Sequence, residues 1–176
     1  MSNALKLIAA FTFGVLAWSA APAAAQQAQG PAPQVVSQFD DLTIRYLLAD
    51  MQVEWTVERG ETGDLVYRAI GSGNMNFMLM PAACRPGEGC VGLVLMAVFT
   101  GLQPNNVGQL DAYLHQFNDT YPSAKLIRTA SGPIILQGFI NATGGVSYRN
   151  VQAVVGDFLE NIGTAGRALA SFEQSQ

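Results

Sequence analysis

Asp111, His115 and Asp119 stand four residues apart in a segment of helical periodicity, so they share one helix face. A carboxylate there could orient the imidazole, or the three could hold a metal. The signal goes no further. His115 is the one histidine in 176 residues, no Gly-x-Ser-x-Gly elbow occurs, and spacing brings no nucleophile or second ligand set beside it. A solvated helix edge is the expected role of the three, and no catalysis is expected. Cys84 and Cys90 are the only cysteines. Their separation is not the Cys-x-x-Cys spacing of oxidoreductases, and two thiolates with one histidine fall short of a zinc ligand set. In an exported chain such a pair reads as a structural disulfide. Gly71-Ser72-Gly73 and Gly144-Gly145 could cradle an anion on backbone N–H groups, but they lack a phosphate-loop pattern and read as turns. Met75, Met78, Met80 and Met96 read as core filling. No metal and no cofactor is expected.

The elements that position these residues are organised around the cysteine pair. Phe77-Met78-Leu79-Met80 and the run from Val91 to Phe99 are continuously apolar and flank the turn-forming Arg85-Pro86-Gly87-Glu88-Gly89. This pattern predicts a clipped β-hairpin of central strands covered on both faces. Were the second face bare, its Met, Phe and Val side chains would form an apolar patch of the kind that marks a binding surface. Upstream, Phe39, Leu42, Tyr46, Leu47 and Met51 recur at helical spacing behind Asp40 or Asp41 as cap. Val53, Trp55 and Val57 then alternate with polar residues as a half-buried strand, and Leu65 to Ile70 follows as a second. Downstream, Val107, Leu110, Leu114, Phe117 and Tyr121 mark a helix closed by Pro122. Strand-like runs at 124–129 and 134–140 form a hairpin, and Ser147 caps a long last helix with a stripe through Tyr148, Val151, Val155, Phe158 and Ile162. The order α-β-β-β-β-α-β-β-α describes an α+β fold, helices on an antiparallel sheet.

Lys6, an apolar segment from Leu7 to about Ala20, and Ala23-Ala24-Ala25 compose a secretory signal peptide over 1–25, cut before Gln26. Residues 26–36 have linker composition, and 37–176 are expected to form one domain. The protein is therefore expected in the periplasm or secreted, with no membrane span once the leader is removed. Loss of Lys6 leaves 8 basic against 13 acidic residues, a net charge of −5. With no basic stripe among aromatics, nucleic acid is excluded as a partner.

Phe117-Asn118-Asp119-Thr120-Tyr121-Pro122-Ser123-Ala124-Lys125, followed by Gly144-Gly145-Val146-Ser147, resembles the YbjN family. Leu47-Leu48-Ala49-Asp50-Met51 with Trp55 resembles that family's first helix and strand, so the likeness spans about 39–158. The resemblance implies a sensory transduction regulator domain, similar in fold to type III secretion chaperones and without established catalytic residues. It gives structural roles to Asn118, Tyr121, Ala124, Lys125, Gly144, Gly145, Val146 and Ser147. The expected function is a non-enzymatic exported module that binds another protein, a homodimer being one form of such contact. The alternatives are a small-molecule or lipid carrier, with an apolar cavity in front of the sheet, and an enzyme using His115 with Asp111.

Overall fold

Each α-helix among the described residues begins where a short polar side chain accepts a hydrogen bond from the first turn. The Asp40 carboxylate takes the Thr43 N–H at 2.7 Å and opens α1 (Asp41–Asp50). Asn106 takes the Gln109 N–H at 3.1 Å and opens α2 (Val107–Thr120). Ser147 takes the Asn150 N–H at 3.2 Å and opens α3 (Tyr148–Ser171). Each cap satisfies a backbone donor that has no partner within the helix, typically worth about 1 kcal/mol.

The computed structural model describes residues 33–60, 63–87, 89–102 and 106–172. The expected leader and the start of the linker lie outside the described residues. The strands are β1 (Val35–Val36), β2 (Glu54–Arg59), β3 (Leu65–Gly71), β4 (Met75–Arg85), β5 (Gly89–Phe99), β6 (Ala124–Arg128), β7 (Ile134–Asn141) and β8 (Val146–Ser147). Six of them form an antiparallel sheet in the order β2-β3-β4-β5-β7-β6. The α+β architecture and the order of its main elements are those the sequence predicts. Two features were not expected. Strand β7, not β6, lies beside β5, so the second hairpin folds back and leaves β6 at the edge. In addition, Val35 and Val36 pair with Ser147 and Val146 in a separate two-stranded sheet. Two residues given to the linker by composition are thus structured, because Val36 reaches the core and is only 2% exposed.

All three helices pack on one face of the sheet. There Tyr67, Leu79, Leu93, Leu95, Leu136 and Leu126 meet Ile44, Leu47, Phe117, Val155 and Phe158 in one buried cluster. A small residue makes room at its centre. A Cβ on Gly138 would lie 3.1 Å from Phe158 Cδ2, so the absent side chain lets α3 approach β7. The other face corrects the expectation of cover on both sides. Along β4 and β5 the buried Phe77, Leu79, Leu93, Leu95 and Ala97 alternate with the less buried Met78, Met80, Val94, Met96 and Val98. A continuous apolar run does not reveal which of its two faces has a covering element, and here one has a helix layer and the other none among the described residues. Met78, Met80 and Met96 are accordingly not core residues. Met75, at the start of β4, does pack against the core.

Candidate functional site: the open sheet face

The pairing register arranges the uncovered side chains in rows across the sheet. The middle row runs Thr56, Arg68, Met78, Met96, Gln137, Lys125, one residue from each strand. On one side of it lie Met80, Val94 and Phe139, with Glu58 opposite Val66 toward the β2 edge. On the other side Glu54 pairs Ile70, Ile70 pairs Asn76, and Val98, Ile135 and Ile127 continue the line. Phe139 is 54% exposed, Ile127 45%, Ile70 44% and Val98 41%, whereas the Met and Val side chains between them shield one another and are half-buried. Ordinary surface leucines and valines occur singly, but these form one contiguous patch.

Its geometry is fixed from below. Gly92 in β5 carries no side chain, and the Phe139 ring lies in that space, since a Cβ on Gly92 would come within 2.8 Å of it. The arrangement covers an otherwise bare backbone with an aromatic face. Acidic charge lies at one edge and basic charge at the other, with the Arg68 guanidinium of β3 between the β2 edge and the apolar centre. Glu54 and Glu58 lie on β2, and Lys125 lies on β6 at the opposite edge. Arg68 reaches back from β3 to Glu58 at 2.7 Å and sets a guanidinium nitrogen 3.2 Å from the Met78 sulfur. Sequence reasoning missed Glu54, Arg68, Ile127 and Phe139 as members of this surface. The signal was present as period-two spacing in Val66-Arg68-Ile70, Lys125-Ile127 and Ile135-Gln137-Phe139.

Tyrosine hydroxyls hold the helix layer behind this face. Tyr67, fully buried in β3, donates to the Asp41 carboxylate at 2.7 Å, and Arg45 also binds Asp41 while lying 5.0 Å over the Trp55 ring. Tyr148 at the start of α3 donates to Asp50 at 2.8 Å, so both ends of α1 are tied down. Burial, reinforced by the hydrogen-bonded carboxylates and their charge, pushes both phenols well above the usual tyrosine range. Burial also pushes the Asp41 carboxyl up, but the bonds from Tyr67 and Arg45 and the Arg45 charge outweigh it, and its pKa is lowered.

The residues singled out in the sequence fall in several places. Cys84 and Cys90 are directly opposed across β4 and β5 and form a disulfide. Asn118, near the end of α2, accepts from the Leu126 N–H at 2.7 Å and donates to the Leu126 carbonyl at 3.0 Å. Its main-chain carbonyl oxygen accepts from Lys125 Nζ at 2.6 Å. The Asn118 amide therefore occupies the outer edge of β6 where a neighbouring strand would bond. Tyr121 ends α2 with its N–H on the Phe117 carbonyl and its ring 4.6 Å from that of Phe117. Gly144 and Gly145 take φ of 81° and 90°, and a Cβ on Gly145 would lie 3.0 Å from Val35. This glycine pair makes the turn that admits β1 beside β8. Asp111 is paired with Arg128 at 3.1 Å, and His115 and Asp119 are exposed on the same helix. No group of three or more His, Cys, Asp or Glu side chains able to hold a metal occurs among the described residues. Between α3 and the turn at 72–74 runs an open groove of about 940 Å³ over Met75, Phe99 and Ile162, with Asn74, Glu160 and Arg167 on its rim. It is not the enclosed cavity in front of the sheet that a carrier calls for. No helix among the described residues is long and apolar enough to cross a membrane.

No family model matches the chain, and no curated protein matches it by sequence. Among solved structures it is similar to YbjN from E. coli, described as "a putative transcription regulator". The two share 16% identity and superpose with a TM-score of 0.53 over 74% of this chain and 89% of that one. At that identity the likeness speaks for the fold alone, and the fold of this chain is YbjN-like.

Proposed function

We propose that this protein is an exported, non-enzymatic module that binds another protein through the open face of its sheet, in a regulatory or chaperone-like role. The single observation that carries the reading is the apolar field of Met78, Met80, Val94, Met96 and Phe139, which no element covers among the described residues. Monomeric proteins seldom expose contiguous apolar surface of this kind without a partner for it. Methionine suits such a surface because its unbranched, polarisable side chain adapts to differently shaped partners. The likeness to a protein described as a regulator agrees with a binding role. Localisation in the periplasm or outside the cell rests on the leader over 1–25, and intact-mass analysis of the secreted protein tests it by the presence of Gln26 at the N-terminus.

The function is tested by capture of partners with the tagged, exported protein. Met96→Lys and Phe139→Asp should lose the captured partner while far-UV circular dichroism and melting stay close to the parent. His115→Ala should leave capture intact. Loss of activity in cells from His115→Ala with stability unchanged, together with normal capture by the face variants, would replace this reading with one centred on α2.

A further inference from the structure

The charges at the two rims of the open face differ in sign, and this discriminates among the ways in which two such faces can meet. Glu54 and Glu58 border the face on β2, with Arg68 of β3 paired to Glu58, and Lys125, whose ammonium also bonds the Asn118 main-chain carbonyl, borders it on β6, five strands away. Sheets packed face to face in the aligned mode keep their strands within about 30° of each other, and in that mode two in-plane two-fold axes are available. A two-fold axis perpendicular to the strands would set β2 on β2 and β6 on β6, bringing carboxylates against carboxylates and lysine against lysine. An axis parallel to the strands sets β2 of one copy over β6 of the other. Lys125 then meets the level between Glu54 and Glu58, because Thr56, the β2 residue of its own row, lies between them. The same axis lays β4 over β5, so Met78 faces Met96 and Met80 faces Val94, and it lays Val66 and Ile70 over Phe139 and Ile135. Apolar side chains meet apolar ones at the centre while opposite charges meet at both rims.

We infer that the occupant of the open face is a second copy of this chain, packed sheet against sheet about a two-fold axis parallel to the strands. The inference rests on the open-face reading above and names its partner. Size agrees with it. Six strands about 4.8 Å apart and three rows about 6.8 Å apart give roughly 600 Å² per copy, so about 1,200 Å² in all. That is the lower end of specific interfaces, which fits a dimer that opens on dilution and can exchange one copy for a different protein.

Sedimentation equilibrium of the mature protein between about 1 and 500 µM tests this, with dissociation constants expected in the micromolar range or weaker for so small an interface. Met96→Lys should be monomeric throughout. Lys125→Glu should weaken association about tenfold, as should Glu54→Lys, and the double variant should recover to within about threefold of the parent. Recovery is the outcome that a merely structural effect of either substitution cannot produce. A parent monomeric at every concentration overturns the inference. If partner capture still depends on Met96 in that case, the open-face reading stands and only the second copy falls. A dimer whose double charge variant stays weak overturns the strand-parallel axis.

Discussion

Replacing Asn118 by Leu removes a side-chain amide that satisfies both backbone groups of Leu126 on the outer edge of β6, through bonds of 2.7 and 3.0 Å. The shape of the side chain is nearly kept, so packing changes little and the effect isolates the two hydrogen bonds. Each such bond contributes about 0.5–1.5 kcal/mol net, and a part-buried partner left without one costs up to a further 1–3 kcal/mol. Water can reach an edge strand and moderates the second term. The expected loss is about 2 kcal/mol, within a range of roughly 1–3 kcal/mol, or about 6–8 °C of melting temperature for a domain of this size. Urea denaturation followed by circular dichroism measures the stability, and native-state hydrogen exchange reads the Leu126 amide directly. That proton should exchange much faster in the variant, while Leu93 and Leu95, in the centre of the sheet, follow only the global change. A variant within 0.5 kcal/mol of the parent and with Leu126 still protected would refute the argument.

Reducing Cys84–Cys90 opens a short loop and should lower stability by ~2 kcal/mol without unfolding the domain; free thiols in native, exported protein would contradict the bridge. Gly138→Val should cost about 1–3 kcal/mol, since its Cβ would press on Phe158 at 3.1 Å, and an unchanged urea midpoint would show that α3 can yield. Tyr148 and Tyr67 have raised pKa values in the folded state, so their contribution is complete below about pH 10 and is lost as pH rises further. Tyr148→Phe should therefore flatten the alkaline limb of stability against pH. Asp41, whose pKa is lowered from 3.8, contributes above that value and loses its contribution as pH falls through the lowered one, so Asp41→Asn should flatten the acid limb. An unaltered limb in either variant would count against its assigned clamp.

Local chemistry made much of the fold legible. The switch from helical to alternating period at Val53, the cap at Ser147 and the turn between the cysteines are each decided within a few residues. What was not legible depends on distance. The pairing of β5 with β7 and the joining of Val35 to Ser147 are contacts between segments far apart in sequence, and no local propensity encodes them. The sidedness of the sheet was hidden for a related reason. Met78 and Leu79 look alike in an apolar run, and only the docking of α3 and α1 against one face separates them. Asn118 could be placed on the apolar side of its helix by angle, but its partner Leu126 emerged only once the turn at 121–123 set β6 beside α2.

The tyrosine clamps and the disulfide also bear on the order in which the molecule assembles. The cysteines are 6 residues apart, whereas Tyr67 and Asp41 are 26 apart and Tyr148 and Asp50 are 98 apart. Loop closure is cheapest for the nearest pair, so the β4–β5 hairpin can form while the rest of the chain is still searching. Helix α1 precedes both of its clamping tyrosines in the chain, yet its second clamp must wait for the start of α3, 98 residues on. The first of these helices in chain order is thus among the last elements to be locked. Pulse-labelled hydrogen exchange during refolding should protect Leu93 and Leu95 before Leu47 and Leu48, and the reverse order would show that α1 folds without its clamps.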